Sequence, residues 1–211
     1  MPAAIRGAAL SRAARNREIE TPSGPARAVI TGPGRADLAV LGHGAGGGID
    51  APDLVAVTER LVDLGWTVAR VEQPYRVKGR RAPEAAPRLD AAWSAVVTAL
   101  RAGHSGRLLV AGRSSGARVA VRTAAELAAD LIVALAFPLH PPGKPEKTRM
   151  EELAQLPAPM LIVQGERDPF GAAAEFPPGP QLTSVPGDHS LRQAPDQVAA
   201  AVADWLAGIG R

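Results

Sequence analysis

With 211 residues, 46% hydrophobic and 21% charged, the chain can bury one sizeable core but falls short of two ordinary domains. Its net charge of +3 is small and its 24 Lys and Arg residues are scattered, which argues against a nucleic-acid interface. Without cysteine, disulfides and thiol catalysis are excluded, and no run approaches the ~20 apolar residues needed to span a bilayer.

The opening stretch, MPAAIRGAALSRAARNR, holds four arginines and no acid. The same Ala/Arg bias runs through the whole chain, so residues 1–16 read as a flexible basic leader on a cytoplasmic protein rather than a targeting peptide. Residues 17–211 then form a single domain. Residues 18–34 suggest two short strands joined by Pro/Gly turns, and DLAVLG (37–42) is a firmer strand ended by glycine. From 50 to 65, Leu54, Val57, Leu61 and Leu64 recur at helical spacing, with Asp50 as cap, Pro52 in the first turn and Gly65 as stop.

WTVARVEQ (66–73) is the next strand, followed by a polar loop over 74–87. Leu89, Ala92, Trp93, Val96, Val97 and Leu100 give a helix over 88–101. A strand over 106–112, a helix over 115–129 and the apolar strand LIVALAF (131–137) follow. A Pro-rich loop leads to a short helix over 148–156, then to strands at 159–165 and 181–187 and a closing helix over 195–208. Strand and helix alternate from residue 37 onward, and strands apolar throughout suit a parallel sheet covered on both faces. The expected architecture is a three-layer α/β domain with right-handed crossovers.

The most informative segment is LLVAGRSSGARV. Gly112-Arg113-Ser114-Ser115-Gly116 fits G-x-S-x-G between a buried strand and a helix, the context of a nucleophile elbow. Such a turn strains the serine backbone and wants glycine two residues to either side. It presents the hydroxyl at a helix N-terminus, where developing negative charge meets free N–H groups. The plainer reading is a Gly/Ser turn that merely caps a helix.

A serine hydroxyl needs a base, and the base needs an acid to orient it. Downstream of Ser114, QGERDPFG places Asp168 just past an apolar strand, and VPGDHSL places His189 just past the next one. The order Ser, acid, His is that of an elbow-type hydrolase. Glu166 and Asp188 are rival acids, although Asp188 adjoins the histidine and would strain to reach its Nδ1. Among the other histidines, His104 sits between elements and reads as solvated, His43 lies in a glycine loop, and His140 lies in PLHPP.

That glycine loop, LGHGAGGGID (41–50), contains G-x-G-x-x-G and could cradle a dinucleotide, with Glu72 as ribose ligand. The helix starts too late for that fingerprint, because Ile49-Asp50-Ala51-Pro52 intervene. As an oxyanion loop it stands two strands before the elbow strand in sequence, where hydrolases draw their second donor. The Ala45 amide, with Gly46, then pairs with the amide of Ser115.

At these residues the chain resembles the α/β-hydrolase superfamily across nearly its whole length. HGAGGGID, PYRVKGRRAP, AGRSSGARVA, FPLHPPGKPEKTR and QGERDPFG resemble one compact branch similar to dienelactone hydrolases. That branch includes testis-expressed predicted hydrolases and a subunit-3 protein of the NSL chromatin complex. The resemblance implies Ser114 as nucleophile, Asp168 as acid and His189 as base, and the hydrolysis expected of such a triad needs no cofactor and no metal. It supplies no substrate, and Ser115 stands where the branch often has a larger residue.

Tyr75 and His140 are candidate substrate-binding residues. Tyr75 with Arg76, Lys78, Arg80 and Arg81 can hold an anionic acyl group or form a solvated basic loop. His140 and Lys144 can line the cleft, or HPPGKP can be a rigid polyproline-II-like wall. About 20 residues separate Phe137 from Pro157, too few for a full lid, so an open cleft is expected. The function expected is a serine hydrolase cleaving a small carboxylic ester, thioester or lactone, with no nucleic-acid or membrane partner. The alternative is a binding or scaffold module that keeps the fold without turnover. A nucleotide-dependent oxidoreductase is a third reading, which requires NAD(P) binding.

Overall fold

The computed structural model describes residues 13–34 and 37–209. Its strands are β1 (Arg15–Ile19), β2 (Ala26–Thr31), β3 (Leu38–Gly42), β4 (Thr67–Glu72), β5 (Leu108–Arg113), β6 (Leu131–Leu135), β7 (Met160–Gly165) and β8 (Gln181–Val185). They form one sheet in the order β1-β2-β4-β3-β5-β6-β7-β8. The first two strands are antiparallel additions, and the six strands β3 through β8 run parallel. The helices are α1 (Pro52–Asp63), α2 (Pro74–Val77), α3 (Ala86–Arg101), α4 (Ser115–Thr123) and α5 (Pro195–Ile209).

Alternate residues of the central strands feed two separate cores, as a sheet buried on both sides requires. Leu38, Val40, Val110, Ile132 and Ile162 pack with Trp93, Val97 and Leu100 of α3 and Ala117 and Ala120 of α4. Leu41, Leu109, Val133 and Leu161 face the other way, onto Leu54, Val57 and Leu61 of α1 and Val198, Val202 and Trp205 of α5. Each fully buried Leu or Ile contributes about 1.5–3 kcal/mol. The three-layer α/β-hydrolase fold anticipated from the sequence is the observed one, and the stretch between β6 and β7 carries only a 3₁₀ turn, Met150–Leu153, in place of a lid.

Several local expectations change. Strand β1 takes in Arg15 and Asn16, the last two residues of the stretch read as leader; residues 1–12 lie outside the described residues. Ala51, not Asp50, is the N-cap of α1 and makes no side-chain cap bond. Asp50 instead pairs with Arg70 at 3.2 Å, one position too early to reach the amides of the first turn. Pro74 nucleates the single turn α2 inside the expected polar loop, and α3 starts at Ala86, two residues before the predicted 88, with Pro87 in its first turn.

Helix α4 is shorter than the periodicity suggests. After Thr123 the chain loosens, and Ala128 adopts φ +48°. The Ala129 amide donates back to the Ala124 carbonyl at 3.0 Å, the closing bond of a Schellman turn. An alanine occupies the position where glycine usually signals the stop, so the sequence shows no terminator.

The helix expected over 148–156 contracts to that 3₁₀ turn. The Pro-rich segment before it is a tight turn rather than a polyproline wall. Lys144 N–H reaches the Pro141 carbonyl at 3.0 Å, and Gly143 supplies the positive φ of +69° that such a turn needs at its third position.

Candidate active site

The C-terminal ends of β3, β5, β7 and β8 bring four loops to one rim of the sheet. Strand β3 lies directly beside β5, pairing Gly42 with Gly112, so the glycine loop after β3 abuts the elbow after β5. Ser114 sits at φ 53°, ψ −113°, a backbone strain worth about 1–3 kcal/mol that the surroundings must impose. They do so by glycine-to-glycine contact. A Cβ on Gly112 would stand 2.4 Å from the Gly116 carbonyl carbon, and one on Gly116 would stand 2.6 Å from the Gly42 oxygen. Both flanking glycines are therefore needed for the backbones of β3, β5 and α4 to meet.

Ser114 occupies the N-cap position of α4 but makes no side-chain cap bond, which removes the plain helix-capping reading. Its Oγ instead donates to Nε2 of His189 at 2.8 Å, and His189 Nδ1–H donates to Asp168 Oδ2 at 2.8 Å. The three residues that the sequence ordered along the chain are thus in one hydrogen-bonded line. Asp168 is buried and fully used: Oδ1 accepts the Phe170 amide at 2.8 Å, and Oδ2 also accepts from Gln164 Nε2 at 2.8 Å. Gln164 is itself buried in β7 and reaches the Gly171 carbonyl at 3.0 Å. The Phe170 ring stacks on the His189 imidazole with centroids 4.1 Å apart and planes 27° apart.

The rival acids are accounted for. Asp188 closes a turn on Ser190, accepting its amide at 2.9 Å and its hydroxyl at 2.6 Å. Those bonds hold its carboxyl well below the usual carboxylate range. Glu166 is exposed, while its amide extends the β7–β8 ladder to Val185. That extension and the Arg167 amide on the Gly187 carbonyl draw the acid loop and the histidine loop together. Gly165 permits the contact, since a Cβ there would stand 2.5 Å from the Asp188 oxygen. Sequence reading did not single out Gly165, Gln164 or Phe170; their reasons lie in contacts between strands.

In the glycine loop, the Gly47 amide closes a turn on the Gly44 carbonyl at 3.1 Å. Ala45 and Gly46 take its central positions, whose N–H groups are not consumed by the turn's own bond. Nothing lies within 4 Å of where a Gly46 Cβ would be. Ser115 is the first residue of α4, and its amide is one of the unpaired N–H groups of a helix start.

His43 pins this loop from behind. Its Nε2 lies 3.1 Å from the Gln73 amide and its Nδ1 2.8 Å from the Gly44 carbonyl. An amide can only donate and a carbonyl only accept, so the ring is neutral, with its proton on Nδ1. Burial pushes its pKa below the ordinary histidine value, in the same direction.

Tyr75 and His140, the candidate substrate-binding residues, are both buried and hydrogen-bonded to the protein's own groups. Tyr75 is 2% exposed, and its hydroxyl donates to the Ala45 carbonyl at 2.8 Å. It lines a small cavity with His43, Trp93, Ser115 and Gly116 behind the elbow, and burial raises its pKa to about 12. His140 is buried, with Nε2 3.0 Å from Glu175 and Nδ1 2.9 Å from the Pro141 carbonyl, so both nitrogens fasten the Pro-rich turn. Of the basic loop, Lys78 binds the Ser23 carbonyl at 2.8 Å and Arg76 the Arg80 carbonyl at 3.3 Å. Lys78, Arg80 and Arg81 are exposed. His104 is half-buried in the α3–β5 turn rather than solvated.

No helix among the described residues is long and apolar enough to cross a membrane. Solved structures share the fold. A lidless α/β serine hydrolase from Xanthomonas campestris superposes with a TM-score of 0.70 at 23% identity, covering 91% of this chain and 94% of that one. Est1E from Butyrivibrio proteoclasticus gives 0.74 at 17%, covering 93% and 99%. An esterase from Pyrococcus furiosus gives 0.75 at 19%, covering 93% and 90%. The model of the alpha/beta hydrolase domain family matches residues 35–199, and the chain therefore belongs to that family.

Proposed function

We propose that the protein is a serine hydrolase that cleaves a carboxylic ester, thioester or lactone of a small substrate through an acyl-enzyme. The observation that carries this reading is the unbroken line from Ser114 through His189 to Asp168, with 2.8 Å at both links, on a serine whose hydroxyl has been taken away from helix capping. His189 Nε2 takes the Ser114 proton as Oγ attacks the carbonyl carbon. Asp168 holds the ring in the tautomer that leaves Nε2 free to accept, and stabilises the imidazolium.

Negative charge moves to the carbonyl oxygen, where the amides of Ser115 and of Ala45 or Gly46 receive it. Each such donor is worth about 2.7–4 kcal/mol in the transition state. His189 then protonates the leaving group, and a water deprotonated by the same nitrogen releases the acyl chain. The short β6–β7 connection leaves the site open, which suits small or flexible esters. The Pyrococcus furiosus protein of similar fold bears the name esterase, and Est1E has been solved with ferulic acid bound. A cytoplasmic location and kinship with the dienelactone-hydrolase-like branch, resting on PLHPPGKP, belong to the same proposal.

The test is hydrolysis of p-nitrophenyl esters of graded chain length by wild type and Ser114→Ala. Saturable turnover that falls by on the order of 10⁴-fold or more in the variant supports the reading. Folded wild-type protein that turns over none of the series returns the chain to a binding or scaffold role.

A further inference from the structure

Arg113, the residue before the proposed nucleophile, has a side chain only 14% exposed. Instead of reaching solvent, it runs sideways among three segments. Its Nε lies 3.5 Å from Oδ2 of Asp53, whose side chain is fully buried in the first turn of α1. Nη2 donates to the Ser190 carbonyl at 3.3 Å, next to His189. Nη1 lies under the glycine loop, so close that a Cβ on Gly44 would stand 3.2 Å from it and one on Gly47 3.5 Å. The guanidinium therefore lies beside the loop that offers the Ala45 and Gly46 amides, hydrogen-bonds the loop that carries His189, and extends from the strand end that carries Ser114.

Asp53 explains why the guanidinium stays there. Besides Arg113, its carboxylate meets its own amide and that of Leu54, without a well-formed hydrogen bond, and burial raises its pKa above the usual carboxylate value although Arg113 pulls it down. A buried ion pair of this kind adds little net stability against an apolar pair of equal volume. Its value lies in fixing geometry, and only a planar fork of several donors can address three segments at once.

On the footing of the serine-hydrolase reading above, we propose that Arg113, anchored by Asp53, is a positioning residue that clamps the glycine loop and the histidine loop onto the elbow. It sets the distance between oxyanion donors, base and nucleophile without touching substrate. A side chain at position 44 would press on the guanidinium at 3.2 Å, whereas one at position 47, at 3.5 Å, would meet it in ordinary contact.

The experiment compares wild type, Arg113→Met, Arg113→Lys and the double variant Arg113→Met/Asp53→Leu. The readouts are kcat and KM on a p-nitrophenyl ester, urea stability, and amide exchange of residues 43–48 and 188–192. The clamp predicts a kcat about 10–100-fold lower in Arg113→Met with KM within about twofold, since misplacement of about 1 Å costs on the order of 10². Arg113→Lys restores charge but not the fork, and recovers little of the rate. The double variant regains stability by removing the unpaired carboxylate, yet stays slow, and its two loops exchange faster than in wild type. A double variant with wild-type kcat and wild-type loop protection overturns the proposal and leaves Arg113 as a counter-ion only. Should wild type itself show no turnover, the serine-hydrolase reading falls, while loop exchange in the Arg113 variants still decides whether the clamp exists.

Discussion

Two histidines near the rim are held by hydrogen bonds of opposite consequence. His189 accepts from a hydroxyl on one side and donates to a carboxylate on the other, so it can gain a proton without losing its orientation. His43 cannot, because a proton on Nε2 would face the Gln73 amide N–H. Its pKa is lowered by burial from 6.5, so below that value the unfolded chain binds a proton that the folded chain refuses. Stability therefore falls as pH drops through 6.5 and is unaffected by this group above it. Urea midpoints measured from about pH 7.5 to about pH 5.5 should decline, and His43→Asn, which has no such proton to take up, should be less stable at the upper end but decline less. Asp168→Asn should keep the fold and lower kcat by on the order of 10³–10⁴, because an amide facing Nδ1 favours the wrong tautomer. Steady-state rates with an unchanged urea midpoint would check that.

At the scale of elements, the site depends on how closely β3, β5 and α4 approach. Gly116→Ala puts a methyl group 2.6 Å from a β3 carbonyl, which backbone on both sides must absorb. We expect a loss of about 2–4 kcal/mol together with impaired activity, read from urea unfolding and ester turnover. The end of α4 offers the converse. Ala128 holds φ +48° without benefit to the site, and Ala128→Gly should add about 1 kcal/mol with the m-value and kcat unchanged.

These elements also mark how far the sequence could be read. Ser114, Asp168 and His189 were legible because each lies within a few residues of the end of a strand, and a parallel sheet sends all such positions to one edge. The stop of α4 was not legible, because Ala128 does glycine's work in a run of alanines. Nor was the cap of α1, where Asp50 sits one residue early and is used by Arg70.

Across the whole molecule, two cores on opposite faces of one eight-stranded sheet fix the frame, and the loops at its carboxyl edge carry the chemistry. Fold class followed from strand and helix alternation, since buried parallel strands announce themselves by unbroken apolar runs. Contacts that join loops across the sheet did not follow. Arg113 with Asp53 and Gly165 with Asp188 depend on which strands are neighbours, which periodicity does not encode. Tyr75 illustrates the same limit: a lone tyrosine beside basic residues suggested a substrate surface, but strand placement turns it inward onto Ala45. The connection between β6 and β7 carries only a 3₁₀ turn, and on the proposed reading substrate enters without a lid there having to open. Rates on a long-chain ester should therefore rise hyperbolically and show no jump as the ester passes its solubility limit.

The central claim is that Ser114 is a nucleophile activated by His189. Its most direct measurement is mass spectrometry of the intact, folded protein and of its peptides after treatment with a fluorophosphonate. The account predicts one phosphonyl group per chain, on Ser114, formed slowly or not at all in His189→Ala. Folded protein that gains no mass, or an adduct that persists at another residue in Ser114→Ala, would contradict it.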